Sequence, residues 1–246
     1  MKLIGLLPIR NEAWVIRFTI PALLEWCDEV IVLEHACTDG TTEILDRLPV
    51  NRLYESNAEW NEADYRQSLL DVGRMSGGTH FAMLDADEAV TANLVPTMRA
   101  RAELLKPGEG LSLPWLNCWR SLDQYRNDPT PFGCGEVTAV FCDAPHLKHE
   151  PMADGYQLHT RAPRGLNLQR GCDRGGVLHL QHANWNRVTD KQAWYARKEL
   201  EKWGRVRANY SAATDETKMK LSPVPMEWWP NGRDLIDLGA SVNGYR

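Results

Sequence analysis

Residues 77–91 read GGTHFAMLDADEAVT, and this stretch decides the fold prediction. Residues 79–84 are a short, mainly apolar run that two glycines precede and that Asp85, Asp87 and Glu88 follow. A run of this length, bounded by glycine and by charged residues, predicts a buried strand. The strand should therefore carry a group of carboxylates at its carboxyl end.

The residues before this stretch repeat a strand-then-helix pattern. Apolar runs and helical spacing predict strands at residues 2–8, 29–34 and 52–55, and helices at 11–26, 41–48 and 62–75. Strands alternating with helices predict an α/β fold with a doubly wound, mainly parallel sheet and helices on both faces. Ligands of such sheets bind beyond the carboxyl ends of the strands. The loops at 10–12, 35–41 and 85–88 should therefore converge on one crevice.

The pattern changes after residue 105. A helix is predicted at 91–105, and a Lys-Pro-Gly sequence then interrupts it. The remaining sequence predicts short strands at 111–115, 137–142 and 177–178, an amphipathic basic helix at 189–207, and an irregular tail from Leu221. We expect one compact domain in which 1–105 ends in the acidic motif and 106–246 forms an irregular second half.

Composition argues against several classes of protein. No run of about 18 apolar residues is present and the N-terminus lacks the usual layout of a cleavable signal, so we expect a cytoplasmic protein with no membrane insertion. The six cysteines have neither paired nor metal-ligand spacing, which indicates reduced thiols. Residues 1–145 carry 12 basic and 22 acidic side chains, whereas 146–246 carry 16 basic and 11 acidic ones. This asymmetry fits an acidic, metal-holding half and a basic half that meets phosphates.

Asp85 and Asp87 have the spacing of a metal site. Side chains two residues apart on an extended segment point the same way, so both carboxylates should face one side. Their oxygen atoms suit Mn²⁺ or Mg²⁺, which also bind diphosphate oxygens. A divalent cation stabilises the charge that develops on a nucleoside diphosphate as it leaves a sugar. The motif therefore predicts metal-assisted transfer from a nucleotide-diphosphate sugar.

Two segments resemble the signature stretches of family 2 glycosyltransferases. They are LLPIRNEAWVIRFTIPALLEWCDEVIVLEHACTDGTTEIL at residues 6–45 and GGTHFAMLDADEAVT at 77–91. The resemblance implies a GT-A fold and a metal-dependent hexosyltransferase. It also implies a nucleotide-sugar donor, with a UDP-sugar favoured, a hydroxyl acceptor and inversion at the anomeric carbon. Residues 1–105 would then form the donor half and 106–246 the acceptor side.

The resemblance further implies a set of donor-binding residues at the ends of the strands and in the turns that follow. These residues are Pro8, Arg10, Asn11, Glu12, Asp39 and Arg66. For Glu12 and Arg66, an exposed salt bridge on a helix is the other interpretation. The chain departs from the family at Glu34-His35-Ala36-Cys37, where many members have an acidic residue followed by a small one.

The sequence GGVLHLQHANWNRVTDKQAWYARKE at residues 175–199 resembles the family segment that supplies a histidine to the metal or diphosphate. His179 is the preferred third ligand beside the two aspartates, and His182 is the alternative. Lys191 and Tyr195 are one helical turn apart and could approach phosphate. A solvated helix face explains their spacing equally well.

An inverting transfer needs a base that deprotonates the acceptor hydroxyl. The candidate carboxylates of the second half are Glu136, Asp143, Glu150 and Asp154. Glu136 is preferred because the glycine-rich sequence FGCGEV can bring it to the site, so Glu136 and Asp87 are the catalytic candidates. The HTRAP sequence at 159–163 resembles an acceptor-side motif and adds His159 and Arg161 as candidate contacts.

A saccharide is the expected acceptor, and a hydroxymethylated base of viral DNA is the alternative. Cationic and aromatic side chains together hold polyanions with exposed rings. The residues behind this alternative are Lys148, Arg161, Arg164, Arg170, Arg174, and the basic helix from Arg187 to Arg207 with Trp185, Trp194 and Trp203.

Two other functions compete with transfer of a sugar. A nucleotidyltransferase would need a glycine-rich phosphate loop after the first strand, where this chain has PIRNEAW. A nucleotide-sugar-binding protein that has lost turnover would keep the donor residues and lack the base. Donor hydrolysis would separate such a binding protein from an active transferase.

Overall fold

The computed structural model describes residues 1–56, 61–150, 161–171, 174–206 and 215–239. The elements of the first half are β1 (Leu3–Ile9), α1 (Ile16–Leu24), β2 (Glu29–His35), α2 (Thr41–Leu45), β3 (Asn51–Glu55), α3 (Glu62–Met75), β4 (His80–Met83), β5 (Glu88–Val90) and α4 (Val95–Glu103). Those of the second half are β6 (Glu109–Asn117), β7 (Gln124–Arg126), α5 (Pro131–Cys134), β8 (Glu136–Cys142), β9 (Asn167–Arg170), β10 (Val177–His179), α6 (Trp185–Trp203) and β11 (Leu221–Pro223).

One large sheet joins strands from both halves of the chain. In the described residues its order is β3-β2-β1-β4-β8-β6-β10-β5, and β9 also pairs with β6. The pairs β1–β2, β2–β3, β1–β4, β6–β9 and β6–β10 are parallel, whereas β4–β8, β6–β8 and β5–β10 are antiparallel. The predicted doubly wound, mainly parallel α/β sheet is therefore confirmed.

Helices cover both faces of this sheet. Side chains alternate between the two faces along each strand, and apolar residues on both faces pack against helices. Leu3 and Leu7 of β1 pack in the apolar cluster that contains α1 and α4. Ile4 and Leu6 pack in a second cluster, which contains α3. The near-continuous apolar sequence of β1 follows from this two-sided burial, since a central parallel strand has no solvent-facing side.

Several element boundaries differ from the sequence prediction for local reasons. Helix α1 begins at Ile16 rather than near residue 11, because Asn11 has a left-handed backbone (φ 54°) that a helix cannot include. Helix α6 begins earlier than predicted, since Asn184 caps it by accepting a hydrogen bond from the Arg187 amide. Its end falls at Trp203, where Gly204 adopts φ 66°. Strands β5, β7, β9 and β11, each of three or four residues, were not predicted.

The antiparallel pair β5–β10 turns the acidic motif back into the sheet. In its register Glu88 is opposite His179, and His179 is opposite Asn117 of the parallel neighbour β6. The amino end of β5 and the carboxyl ends of β6 and β10 therefore meet at His179. No helix in the described part of the chain is long and apolar enough to span a membrane.

We predict that Gly73→Val destabilises the fold by about 2 to 3 kcal/mol, since inserting methyl groups into a packed core forces neighbours to move. A Cβ atom at Gly73 of α3 would lie 2.6 Å from the Phe81 ring and 3.3 Å from the Leu6 side chain. Denaturant unfolding followed by circular dichroism measures the change. Ser68→Ala on the exposed side of the same helix should change stability by less than about 0.5 kcal/mol. Equal stability of the Gly73 variant and the wild type would contradict this packing.

Candidate active site

A cavity of about 600 Å³ lies at the carboxyl ends of β1, β2 and β4, where the sequence predicts a crevice. The residues expected from the sequence that line it are Pro8, Arg10, Glu12, Arg66, Asp85, Asp87, Glu136, His179, Lys191 and Tyr195. Arg161 and His182 line it as well. The structure thus brings together most of the predicted site from segments between Pro8 and Tyr195, which are 187 positions apart in the chain.

Asn11 and Asp39 are not among the described residues that line the cavity. The Asn11 side-chain oxygen accepts a hydrogen bond from the Thr38 amide (2.7 Å). The Asp39 carboxylate accepts from the Ala13 amide (3.1 Å) and from the Thr41 hydroxyl (2.6 Å). Both side chains hold the loop after β1 against the loop after β2. These hydrogen bonds join two segments whose residues Arg10, Glu12 and His35 line the cavity.

Asp85 is held by two arginines. Arg66 of α3 donates to its Oδ1 atom (2.6 Å), and Arg161 donates to Oδ2. Burial alone would raise the pKa of Asp85, but Arg161 and Arg66 hold it well below its ordinary value. Asp85 is therefore ionised at neutral pH, with both oxygen atoms occupied by guanidinium groups.

Glu88 is a site residue that the sequence reasoning placed at the strand end without giving it a role. Its side chain is fully buried, and Arg161 binds it with two nitrogen atoms at 2.7 and 2.8 Å. Trp115 Nε1 (2.7 Å) and the Asp85 amide (3.0 Å) donate to it as well. Four hydrogen-bond donors therefore hold this buried carboxyl group in one position. Arg161 thus links Asp85 to Glu88, whereas the sequence suggested only an acceptor contact.

Asp87 and His179 form a separate pair, deeper in the cavity. His179 Nε2 is 3.8 Å from Asp87 Oδ1, and Asp87 Oδ2 is buried with no hydrogen-bond partner among the described residues. His179 Nδ1 is 2.6 Å from the side-chain oxygen of Asn117. Because that oxygen only accepts, Nδ1 carries the proton and Nε2 presents its lone pair. Burial lowers the pKa of His179, so the ring is neutral at pH 7.

Lys191 and Glu12 lie beside this pair. Lys191 Nζ is 3.8 Å from Asp87 Oδ2 and 3.7 Å from Glu12 Oε1. Glu12 also receives Arg187 Nη2 at 2.6 Å and Trp14 Nε1 at 2.7 Å. Burial raises the pKa of Glu12 despite these cations. Helix α6 therefore brings two positive charges to the end of β1, and Lys191 is the one that lines the cavity.

The β1–β2 end of the cavity is aromatic and basic. The Arg10 guanidinium lies 5.4 Å from the ring centre of Trp194 and 3.4 Å from His35 Nε2. Tyr65 Oη is 3.2 Å from the same His35 nitrogen, and the two rings are 4.6 Å apart. His35 occupies the position at which the sequence departs from the family pattern. Sequence reasoning missed Tyr65, although it lies one residue before Arg66 on the helix face that meets the cavity.

The four candidate bases have different surroundings. Glu136 lines the cavity, with Arg170 at 2.9 Å and the Ser112 hydroxyl at 3.0 Å. Asp143, directly after the carboxyl end of β8, is bound by Arg74 at 2.8 and 2.9 Å, and Glu150 pairs with Lys148 on the surface. Asp154 and His159 lie outside the described residues. Glu136 is thus the candidate that the described structure brings to the cavity.

The sequence matches no protein-family model and no curated protein. A solved structure with a similar arrangement is TarS 1–349 from S. aureus, which was also solved in complex with UDP: 12% identity, TM-score 0.49, covering 87% of this chain and 68% of that chain. This chain covers 41% of a longer TarS structure.

A second similar structure is glucosyl-3-phosphoglycerate synthase from Mycobacterium tuberculosis, in complex with Mn²⁺, UDP and phosphoglyceric acid. It is 19% identical with a TM-score of 0.33, over 48% of this chain and 43% of that chain. A nucleotidyl transferase from Methanothermobacter is 14% identical with a TM-score of 0.39, over 57% and 71%. At these values the comparisons assign neither a family nor an activity.

We predict that Arg161→Met lowers the free energy of unfolding by about 3 kcal/mol, because removing one partner leaves a buried carboxylate uncompensated. Denaturant unfolding at pH 7 measures the loss. The double variant Arg161→Met/Glu88→Gln should recover part of it, since the buried charge is then gone. Arg170→Met is the matched control, because the Arg170 side chain is 86% exposed and its ion pair should contribute less than about 1 kcal/mol. No recovery in the double variant would contradict the charge argument.

Proposed function

We propose that this chain is a glycosyltransferase that moves a sugar from a nucleotide-diphosphate sugar, with a UDP-sugar favoured, to a hydroxyl acceptor with inversion. One observation carries the proposal: Asp87, His179 and Lys191 meet at the carboxyl ends of the strands, in a cavity large enough for such a donor. Oxygen, imidazole and ammonium groups in one place suit a diphosphate together with a cation. The resemblance of the RNE, TDGT and LDADE segments to family 2 glycosyltransferases supports the same reaction.

The residues present fit a divalent cation in a particular way. Asp87 Oδ2 has no hydrogen-bond partner in the described structure, and the proton on His179 Nδ1 leaves Nε2 available as a ligand. Among the described residues no three acidic, histidine or cysteine side chains converge on one point. Mg²⁺ sites often use one or two protein ligands and complete their coordination with substrate phosphates and water. Asp87 and His179 would therefore hold Mn²⁺ or Mg²⁺, and the ion would stabilise the leaving diphosphate.

Asp85 takes a different part in this proposal from the one expected from sequence. Arg66 and Arg161 occupy both of its oxygen atoms, so Asp85 holds these two guanidinium groups in place at the cavity. Those guanidinium groups, with Lys191, add positive charge next to the diphosphate. Arg10, Tyr65 and Trp194 would hold the nucleoside, since they combine an aromatic surface with hydrogen-bond donors.

Glu136 would accept the proton of the acceptor hydroxyl. It lines the cavity as the first residue of β8, the strand that follows α5. A carboxylate beside the acceptor accelerates attack by removing the hydroxyl proton as the new bond forms. This role separates the proposed enzyme from a domain that binds a nucleotide sugar without turnover.

A saccharide remains the proposed acceptor. The basic residues behind the DNA alternative lie near carboxylates: Arg170 near Glu136, Arg174 near Glu227, and Lys148 and Arg164 near Glu150. Paired cations offer less to a polyanion than a free basic stripe does. Nothing in the described structure favours DNA over a sugar.

We predict that Asp87→Asn and His179→Ala each weaken Mn²⁺ binding and lower transfer. Loss of one stabilising contact above about 1.4 kcal/mol corresponds to at least a tenfold lower rate, and Asp87→Asn should be the more severe. Free Mn²⁺ is measured by electron paramagnetic resonance in the presence of UDP, and transfer by donor consumption with and without EDTA. Glu62→Gln, at the cavity rim, should leave Mn²⁺ binding unchanged. Wild-type turnover in excess EDTA would remove the metal from the proposal.

We also predict that Glu136→Gln lowers kcat by about 10²- to 10⁴-fold and leaves UDP binding unchanged, because general-base catalysis contributes that much to the chemical step. Steady-state rates and calorimetric titration of UDP provide the two measurements. Glu150→Gln is the matched control, since that carboxylate is on the surface. A large loss with Glu150→Gln and none with Glu136→Gln would move the base to another segment.

A further inference from the structure

His182 is a buried histidine that the proposed chemistry does not use. It lies in the 3₁₀ turn Gln181–Ala183, between β10 and α6, and only 1% of its surface is exposed. Its backbone is fixed, since its carbonyl accepts from the Arg120 amide at 2.8 Å. Its ring stacks on Trp119, with centres 5.4 Å apart and planes inclined by 16°. Among the described residues, aromatic contacts therefore hold this ring.

The polar atoms of the ring have no partner in the described structure. Both Nδ1 and Nε2 are buried, and neither makes a hydrogen bond with a described residue. Buried polar groups are nearly always hydrogen-bonded, so a ring with two unsatisfied nitrogens indicates a site that another molecule completes. The residue also belongs to the lining of the cavity.

The surroundings of His182 select the chemistry of that ligand. The Phe132 ring meets it edge-on at 6.0 Å, and His179, which stacks with Trp115 at 4.5 Å, meets it at 5.5 Å. These rings present apolar surface, and His182 itself presents one donor and one acceptor. A molecule that matches both has apolar C–H faces and hydroxyl groups at its edge. A pyranose ring has this combination. The ribose of a nucleoside diphosphate has it too, but the proposed function places the nucleoside at Arg10, Tyr65 and Trp194.

We propose that His182 is a specificity-determining contact that hydrogen-bonds a hydroxyl group of a sugar ring held between Phe132 and Trp115. This inference rests on the proposed function and extends it, since it names a residue that recognises the sugar rather than the diphosphate. The ring belongs either to the donor, next to the diphosphate at His179, or to a saccharide acceptor, next to Glu136. The chemistry at His182 is the same in both cases.

Two binding measurements separate the sources of the sugar. Calorimetry with Mn²⁺ compares UDP with UDP-glucose, UDP-galactose and UDP-N-acetylglucosamine. Saturation-transfer NMR on the UDP-saturated protein uses methyl glucoside, galactoside and N-acetylglucosaminide as acceptor probes. In His182→Phe we expect the affinity for UDP to be unchanged. If the sugar ring belongs to the donor, the gain in affinity of a UDP-sugar over UDP should fall at least tenfold. If it belongs to the acceptor, the saturation-transfer signal of the methyl glycoside should disappear. His182→Gln, which keeps a donor and an acceptor, should restore part of that loss.

The melting temperature of each variant shows whether a loss of sugar binding arises from a loss of folding. His182→Phe keeps an aromatic ring on Trp119 and removes two unsatisfied polar atoms, so its Tm should equal or exceed that of the wild type. If this variant does not fold, His182→Gln and His182→Asn provide the binding comparison. His80→Phe, at a buried histidine of β4 outside the cavity lining, should leave both binding measurements unchanged.

The outcomes are distinct for the two levels of the proposal. A wild type that binds neither UDP nor any UDP-sugar would contradict the proposed function. The role of His182 would be overturned if the wild type binds UDP and the His182→Phe variant recognises the sugar as well as the wild type in both measurements. It would also be overturned if the wild type binds UDP but recognises no sugar in either measurement. An equal loss of sugar recognition in His80→Phe would also overturn it, since the effect would then be general.

Discussion

The register of β5 against β10 determines most of the polar geometry of the cavity. It sets Glu88 opposite His179, and the parallel register of β10 with β6 sets His179 opposite Asn117. A shift by one residue would turn His179 to the other face of the sheet and expose an apolar side chain in its place. The burial of Val177 and Leu178 thus fixes the register of β10, and with it the direction in which the His179 side chain points. This short antiparallel pair connects the acidic loop after β4 to the segment that leads into α6.

Charge compensation is the second constraint, and it divides the carboxylates by role. Glu88 is fully buried and satisfied by four donors, so it acts as an anchor for Arg161 and not as a reactive group. Asp85 also binds Arg161, and in addition it binds Arg66 of α3. Asp87 differs from both, because it has a buried oxygen without a hydrogen-bond partner in the described structure and a neutral imidazole beside it. Three acids within four residues of sequence therefore have three different environments.

Local patterns predicted the elements that a single segment determines. Three elements are visible in sequence: the apolar run at 79–84 with its carboxylates, the helix with Arg66, and the strand before His179. Burial on two faces leaves a continuous apolar run, and a helix leaves apolar residues at helical spacing, so each element has a local record in the sequence. The partners of these residues left no such record. Arg161 reaches Asp85 and Glu88 across more than 70 positions, and Arg66 reaches Asp85 across 19, so these contacts depend on the complete fold. Asn11 and Asp39 are predicted donor-binding residues whose hydrogen bonds in the described structure join the turn after β1 to the turn after β2.

The ion pairs around the cavity also have a kinetic consequence. Arg66, Arg161 and Lys191 each lie within 4 Å of a carboxylate, so the positive and negative charges of the lining largely cancel. Little field extends from such a surface beyond the Debye length of about 8 Å in physiological salt. An anionic ligand would then be captured by contacts made after it enters rather than drawn in from a distance. Its association rate should consequently change little with ionic strength, in contrast to sites whose unpaired charges steer their ligands.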